Sequence, residues 1–269
     1  MPELPEMETY KTLLNQKIDG HPITSILINR EKSINVKPDD FINRVQNQEI
    51  KAIERRAKHL LFHLENGYVL LLHLMLGGLM FYGKEEEKPD RTVQIQLSFG
   101  DQHLYFIGLR LGYLHLLSQE EVEQELTDLG PEPLDVNFSL DTFLSLIEDR
   151  RGRIKTTLVN QEFLSGIGNC YSDEIAWHSQ LLPDRKMNEL NDNQKVQLYQ
   201  SIRFVLQQAT QYGGYMSMAL FKGDTKTGSY NKKMYVYDRE GEECQRCGAA
   251  IIKEELSSRK TFYCKECQT

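Results

Sequence analysis

Apolar and polar positions change their spacing once along the chain. From Ile23 to about Leu117 the apolar residues fall into short runs of strand length, separated by turn residues. Ile26 to Ile28 and Ile50 to Ile53 are short strand candidates. Leu60 to Leu64, then Glu65-Asn66-Gly67, then Tyr68 to Leu72 predicts a hairpin closed at Asn-Gly. Val93 to Phe99 alternates with period two, turns at Gly100-Asp101 and resumes at His103. Repeated short strands with turn signals predict an all-β sandwich or barrel-like domain. Ahead of it, residues 7–16 read as a short helix following Pro5.

Leu129-Gly130-Pro131-Glu132-Pro133-Leu134 is a proline-rich break, and beyond it the spacing becomes helical. Ser139 is a candidate cap for a helix beginning at Leu140. Residues 154–163 and 170–178 predict two short helices around the turn at Ser165 to Asn169. Residues 191–210 form a longer amphipathic pattern, with Val196, Leu198, Ile202, Val205 and Leu206 near one stripe. Residues 213–233, rich in Gly, Ser, Thr and Lys, read as a long mobile loop, and loops of that size in compact domains are often functional.

With 269 residues the chain can hold two domains with real cores, and 40% hydrophobic and 26% charged residues are ordinary for a globular protein. No signal-peptide pattern is visible. The longest apolar run, Tyr68 to Met80, is broken by His73, Gly77 and Gly78 and is too short for a bilayer. The default location is therefore the cytoplasm, with no membrane partner. No coiled-coil seam is visible, which makes a monomer the default. A net charge of −7 argues mildly against a nucleic-acid partner, because phosphate binding rests on Lys and Arg. Clustering of the basic residues matters more than their sum. Much of the acid sits in Glu85 to Glu87 and Glu120 to Glu125, expected to be solvated segments remote from any site.

Four of the five cysteines form two Cys-x2-Cys pairs, Cys244/Cys247 and Cys264/Cys267, sixteen residues apart. Each pair lets two thiolates grip one ion from a tight turn, and Ala249 to Phe262 can fold as a hairpin that joins them. Four thiolates leave no open position, so the predicted ion is one structural Zn2+ in a ribbon. Cys170 stands alone.

The remaining chemistry lies at the start, Met1-Pro2-Glu3-Leu4-Pro5-Glu6. A small residue after Met1 is the kind from which the initiator is trimmed, which would leave the secondary amine of Pro2. An α-amino group has an ordinary pKa of about 8, against about 10.4 for lysine, so a sizeable fraction is nucleophilic near neutrality. Amine attack on an electron-poor carbon gives a Schiff base, with Glu3 and Glu6 at hand as acid/base groups. The same residues also make a good helix start, with Pro5 in the first turn and acids facing the dipole.

Taken together, the start Pro2 to Glu6, Leu129 to Leu134, Gly166-Ile167-Gly168-Asn169 and the four-cysteine ribbon resemble the formamidopyrimidine-DNA glycosylase/endonuclease VIII family. Further matches are Ile154-Lys155, Tyr171-x-Asp173-Glu174 and Val236-Tyr237. The motifs keep the family's order from residue 2 to residue 268. The resemblance implies an α+β fold: an N-terminal catalytic β-sandwich over 1–128, a helix–two-turn–helix domain over 129–233 carrying the 213–233 loop, and a zinc ribbon over 234–269. It implies a DNA repair glycosylase and abasic-site lyase that excises a damaged base and cuts by β,δ-elimination, with no small-molecule cofactor. Carried over by position, Pro2 is the nucleophile, Glu3 the general acid/base and Glu6 a second acid of the pocket. Lys58 is the strand lysine that contacts phosphate and assists catalysis. Asn169, His73 and Arg259 match phosphate contacts, and backbone amides at the helix start after Gly168 suit an anion.

The chain departs from the family where the duplex is invaded. Family members commonly insert a Met, an Arg and a Phe into the gap left by the flipped base. Leu76, Leu109 and Leu111 take those positions here, Arg110 is displaced by one from the inserting arginine, and Ile107 replaces an acid. Leucine can wedge between bases but cannot hydrogen-bond the orphaned partner. Weaker discrimination of the opposite base is expected, with a lean towards single-stranded, abasic, bulged or differently damaged DNA. The competing reading is a non-catalytic or lyase-only relative that binds abasic, branched or distorted DNA; the trio Pro2, Glu3 and Lys58 speaks against a pure binder. A zinc-ribbon module for protein contacts would account only for the tip from Cys244 onward.

Overall fold

The computed structural model describes residues 1–18 and 20–269. By their internal contacts these fall into two units. One comprises Met1–Thr127 with Tyr212–Ser229, the other Asp128–Gln211 with Tyr230–Thr269.

The first unit is a sandwich of two antiparallel sheets. Strands β2 (Ile50–Arg56), β3 (His59–Leu64), β4 (Val69–His73) and β8 (Tyr113–Leu117) form one sheet in the order β2-β3-β4-β8. Strands β1 (Ser25–Ile28), β6 (Val93–Phe99), β7 (Gln102–Ile107) and β5 (Leu79–Gly83) form the other, in the order β1-β6-β7-β5. Alternate side chains meet between them: Leu60, Phe62, Leu70 and Leu72 pack with Ile95, Leu97, Leu104 and Phe106. Phe62 and Phe106 touch edge to face at 6.3 Å. The predicted β3–β4 hairpin forms, with Gly67 at φ +85° in its turn.

Helix α1 spans Leu4–Asn15, starting three residues earlier than the apolar pattern implied. Pro5 in the first turn fixes the backbone, and Met7, Tyr10 and Leu14 enter the sandwich core. Two further helices were not legible from periodicity. Helix α2 (Pro38–Val45) opens on Pro38 and buries Phe41 and Val45. Helix α3 (Gln119–Glu125) lies in the acidic stretch expected to be merely solvated. There Ser118 Oγ accepts the Glu121 amide at 3.2 Å and Glu121 returns a bond to the Ser118 amide at 2.7 Å. Its Val122 then covers Leu61, Val69, Leu71 and Leu117 on the outer face of β3, β4 and β8. Those strands are thus buried on both faces, which is why they read as unbroken apolar runs.

The second unit is helical with a terminal hairpin: α4 (Leu140–Ile147), α5 (Ile154–Leu158), α6 (Asn169–His178), α7 (Asp192–Gln211), then β9 (Ile252–Leu256) paired with β10 (Arg259–Tyr263). Ser139 caps α4, its Oγ accepting the Thr142 amide. The proline-rich segment is fastened by Arg203 on α7, whose Nη1 donates to the Pro133 and Asp135 carbonyls at 3.0 and 3.2 Å. Residues 213–233, expected to travel with the helical domain, divide differently. Tyr212–Ser229 belongs to the first unit, where Leu220 is buried in the sandwich core and its carbonyl accepts from the Tyr82 amide at 2.7 Å. Asp224 folds this segment, accepting from the amides of Leu220, Lys226 and Thr227. No helix among the described residues is long and apolar enough to cross a membrane.

Candidate active site

The start of α1 is buried at Pro2, Glu3 and Glu6. Glu6 lies one turn into the helix, and its Oε2 accepts the Glu3 amide at 2.8 Å. Its Oε1 accepts the amide of Tyr215 at 2.8 Å, more than two hundred residues away in sequence. Tyr215 Oη donates to the Met1 carbonyl at 3.3 Å. The approach depends on Gly214, which sits at φ +73°; a Cβ there would lie 2.1 Å from Glu6 Oε1. Glu6 therefore joins the helix start to the 212–229 segment through two main-chain bonds.

Lys58 occupies the two-residue turn between β2 and β3, where Ala57 has φ +53°. Its side chain is buried. Arg55 sets this turn against α1: its Nε donates to Glu8 Oε2 at 2.8 Å and its Nη1 to the Ala57 carbonyl at 3.1 Å. Glu8 is only one helical turn from Leu4, so the lysine-bearing turn and the Pro2-Glu3 end of α1 are held on one side of the unit. Arg55 was visible in the sequence only as part of a basic run. Beyond Lys58, His59 pairs across the sheet with His73, their rings 4.2 Å apart, and Tyr113 closes the group at 3.3 Å from His59 Nε2. Burial, then the neighbouring His73 and Lys58, pushes the His59 pKa down to about 3. Burial and Lys58 push His73 down to about 4. Both imidazoles are neutral at pH 7. The Nε2 of His73 is buried with no hydrogen-bond partner among the described residues, an acceptor or donor held in reserve.

Two loops stand beside this group. The 74–78 turn follows His73, and the 108–112 turn joins β7 to β8. They touch backbone to backbone: a Cβ on Gly108 would lie 2.1 Å from the Gly77 carbonyl oxygen, and one on Gly112 would lie 2.2 Å from that of His73. Leu76 and Leu111 project from the tips, 70% and 62% exposed. Arg110 is exposed as well. Leu109, expected as the third wedge residue, is not. It is fully buried in the sandwich core, its amide donating to Gln94 Oε1 at 3.2 Å and its carbonyl accepting from Ser33 Oγ at 3.0 Å. The cause is Gly108, whose φ of +74° reverses the chain after β7 and turns the next side chain inward. The exposed apolar pair is Leu76 and Leu111.

In the second unit the turn before α6 is cradled by Gln161. Its Oε1 accepts the Gly166 amide at 2.9 Å and its Nε2 donates to the Ile167 carbonyl at 2.8 Å. Asn169 opens α6, as the spacing implied, and its Nδ2 donates to the Lys260 carbonyl on β10 at 2.9 Å. Its Oδ1 is buried without a partner among the described residues. Arg259, exposed at the start of β10, is thereby held one residue from the Asn169 contact. Below them Lys155 is fully buried, its Nζ donating to Asp173 Oδ1 at 2.6 Å and to the Asn169 carbonyl at 2.9 Å. Asp173 Oδ2 accepts the Phe262 amide at 3.1 Å. Burial pushes the Asp173 carboxyl up, to about 7, against the lowering by Lys155 and that amide. Glu174 takes the amides of Tyr235, Val236 and Tyr237 at 2.8, 2.8 and 3.0 Å. These carboxylates fasten the helix to the ribbon; the motif signalled them without revealing their partners.

The sulfur atoms of Cys244, Cys247, Cys264 and Cys267 all lie within 4.8 Å of one another. Trp177 Nε1 donates to Cys244 Sγ and Arg246 Nη1 to Cys267 Sγ, each at 3.3 Å. Four converging thiols with outer donors that favour thiolate fit one tetrahedral structural zinc.

Residues 1–113 match the family model of the formamidopyrimidine-DNA glycosylase N-terminal domain, 129–219 that of the formamidopyrimidine-DNA glycosylase H2TH domain, and 241–269 a zinc finger found in FPG and IleRS. A formamidopyrimidine-DNA glycosylase of Listeria innocua is 32% identical over 273 residues, covering the whole of both chains. The wild-type Lactococcus lactis Fpg, solved with an N7-benzyl-Fapy-dG containing DNA, superposes with a TM-score of 0.92 at 29% identity, covering all of both chains. The same bacterium's Fpg with an abasic site containing DNA gives 0.92 at 28% identity over 99% of each. By sequence over its full length and by fold, the chain belongs to the formamidopyrimidine-DNA glycosylase family.

Proposed function

We propose that this chain is a DNA repair glycosylase and abasic-site lyase working through the amine of Pro2, and that it acts as a cytoplasmic monomer. The observation that carries the residue roles is the buried Pro2-Glu3 start of α1, held by Glu6 and Tyr215 on the side where Arg55 sets Lys58. With Met1 attached, the Pro2 nitrogen is a tertiary amide; removal of Met1 frees it as a secondary amine. That nitrogen attacks C1′ of the damaged nucleotide. The base departs with the glycosidic electron pair and takes up the proton that the amine loses; Glu3 then donates a proton to the ring oxygen O4′ as the C1′–O4′ bond breaks, and the nitrogen lone pair closes the iminium at C1′. The iminium acidifies the C2′ hydrogen. Its loss expels the 3′ phosphate, a second elimination expels the 5′ phosphate, and water releases the sugar fragment from Pro2.

Lys58 places its ammonium against the anionic backbone, and His73 offers the unpartnered Nε2 to a phosphate oxygen. Asn169, the amides that open α6, and Arg259 take a second phosphate group. Zinc, when bound, contributes structure only, holding the hairpin that carries Arg259. The Lactococcus lactis Fpg, solved with N7-benzyl-Fapy-dG and with abasic-site DNA, supports substrates of this class. Leu76 and Leu111 form an apolar wedge with no hydrogen-bonding head for the orphaned base, which favours abasic or single-stranded substrates over strict opposite-base selection.

The test is borohydride trapping on DNA with one abasic site, with intact mass confirming loss of Met1. Wild type is expected to give a covalent adduct, Pro2→Gly a much reduced one, and Glu3→Gln slower formation. A processed wild-type protein that binds this DNA without forming an adduct would overturn the catalytic reading in favour of a non-catalytic binder.

A further inference from the structure

Beside the 74–78 and 108–112 loops opens a groove of about 420 Å³, whose wall adds Arg91, Thr92 and Gln94, residues given no role above, to Leu76 and Arg110. That volume is in the range of small-ligand sites. No carboxylate lines it. Arg91 and Arg110 are exposed, and neither is in an ion pair among the described residues. The Arg110 carbonyl is itself held by a third guanidinium, Arg30 Nη2, at 3.4 Å. Gln94 is buried and fixed by the Leu109 amide on its Oε1. In a chain of net charge −7, a pocket walled by arginine and without acid is a local reversal of sign.

Its position decides the strand. Lys58, His59 and His73 lie in or beside the β2-β3-β4-β8 sheet, whereas Arg91, Thr92, Gln94 and Ile107 in the groove wall lie at the ends of β6 and β7 in the other sheet, so the two groups reach the loops from opposite sheets. A wedge that enters a duplex has the lesion strand on one flank and the unbroken strand on the other. Resting on the reading of the chain as a lesion-processing enzyme, we infer that the groove takes a phosphate of the unbroken strand next to the wedge, between Arg91 and Arg110. Arg91 is then a duplex-specificity residue, holding the opposite strand by its backbone where Leu76 and Leu111 cannot hold it by its base.

The experiment combines Arg91→Ala and Arg91→Lys with DNA in which single phosphates of the unbroken strand are replaced by neutral methylphosphonates. Binding to an abasic-site analogue is measured across a salt series, as duplex and as single strand. One lost phosphate contact weakens binding roughly tenfold and lowers the salt slope by about one. Arg91→Ala is expected to show both effects on duplex and neither on single strand, with Arg91→Lys restoring the slope. One methylphosphonate should weaken wild type and leave Arg91→Ala unaffected. If no position on the unbroken strand couples to Arg91, or single-strand binding falls equally, the groove assignment is wrong. Borohydride trapping of wild type on single-stranded abasic DNA reads the enzymatic assignment separately, since that substrate has no unbroken partner.

Discussion

Acid should loosen the first unit through its histidine pair. His59 is buried and neutral, its pKa pushed down to about 3 by burial and by the neighbouring His73 and Lys58. In the unfolded chain an imidazole titrates near 6.5. Between those values the unfolded chain binds the extra proton and the folded one does not. The stability contributed by neutral His59 is thus fully present above 6.5 and is lost as the pH falls towards 3. At pH 5 the deficit from this residue is 1.5 units, about 2 kcal/mol. His73, held down to about 4 by burial and Lys58, adds a loss of the same sign. The other charged or titratable neighbours are Arg56, Tyr113, His115 and, towards α3, Glu125. Urea unfolding of wild type and His59→Gln at pH 8 and pH 5 measures the effect. The drop in unfolding free energy should be about 2 kcal/mol smaller in the variant, equivalent to roughly 6 °C in a thermal melting midpoint for a unit of this size. Equal drops in the two proteins would refute the buried neutral state assigned to His59.

Other perturbations separate positioning from packing. Gly214→Ala forces a side chain onto Glu6 at positive φ, costing about 1–2 kcal/mol in backbone strain. It should slow trapping by roughly 10²-fold through misplacement of the helix start; an unchanged trapping rate would remove Glu6 and Tyr215 from the positioning role. Asp173→Asn strands the buried Lys155 charge and should cost about 3–5 kcal/mol in the second unit, read by urea unfolding, with the pair Lys155→Met and Asp173→Leu recovering most of it. Leu109→Arg places a charge in the sandwich core and should lower the melting temperature of the first unit. Leu111→Arg, at an exposed tip, should stay within about 0.5 kcal/mol of wild type and instead raise opposite-base discrimination in a duplex panel. Equal stability in these two variants would contradict the inward orientation of Leu109.

The chain announces its local chemistry and hides its long-range contacts. The cysteine pairs and the β3–β4 turn are short-range signals, and each forms as spaced. Gly166 to Asn169 likewise opens a helix, with Gly168 itself at the N-cap. Helices α2 and α3 carry few apolar positions (Phe41, Ile42 and Val45 in one, Val122 alone in the other), and their caps become persuasive only once Phe41 and Val122 have a sheet to bury against. The inward turn of Leu109 hangs on the sign of one φ angle at Gly108, which sequence alone does not state. Glu6 and Tyr215 meet through a fold that must already exist; the adjacent Gly213-Gly214 pair was the one local hint that a backbone had to come close to something.

The 74–78 and 108–112 loops are built in two layers. Their hold on each other runs through glycine backbones at positions 77, 78, 108 and 112, while the side chains at their tips touch little of the protein. The handle and the blade are therefore separate parts. Replacing Leu76 or Leu111 changes an exposed tip without asking the scaffold to repack, so on the proposed wedge reading new lesion preferences can be tried one tip at a time at almost no risk to the fold.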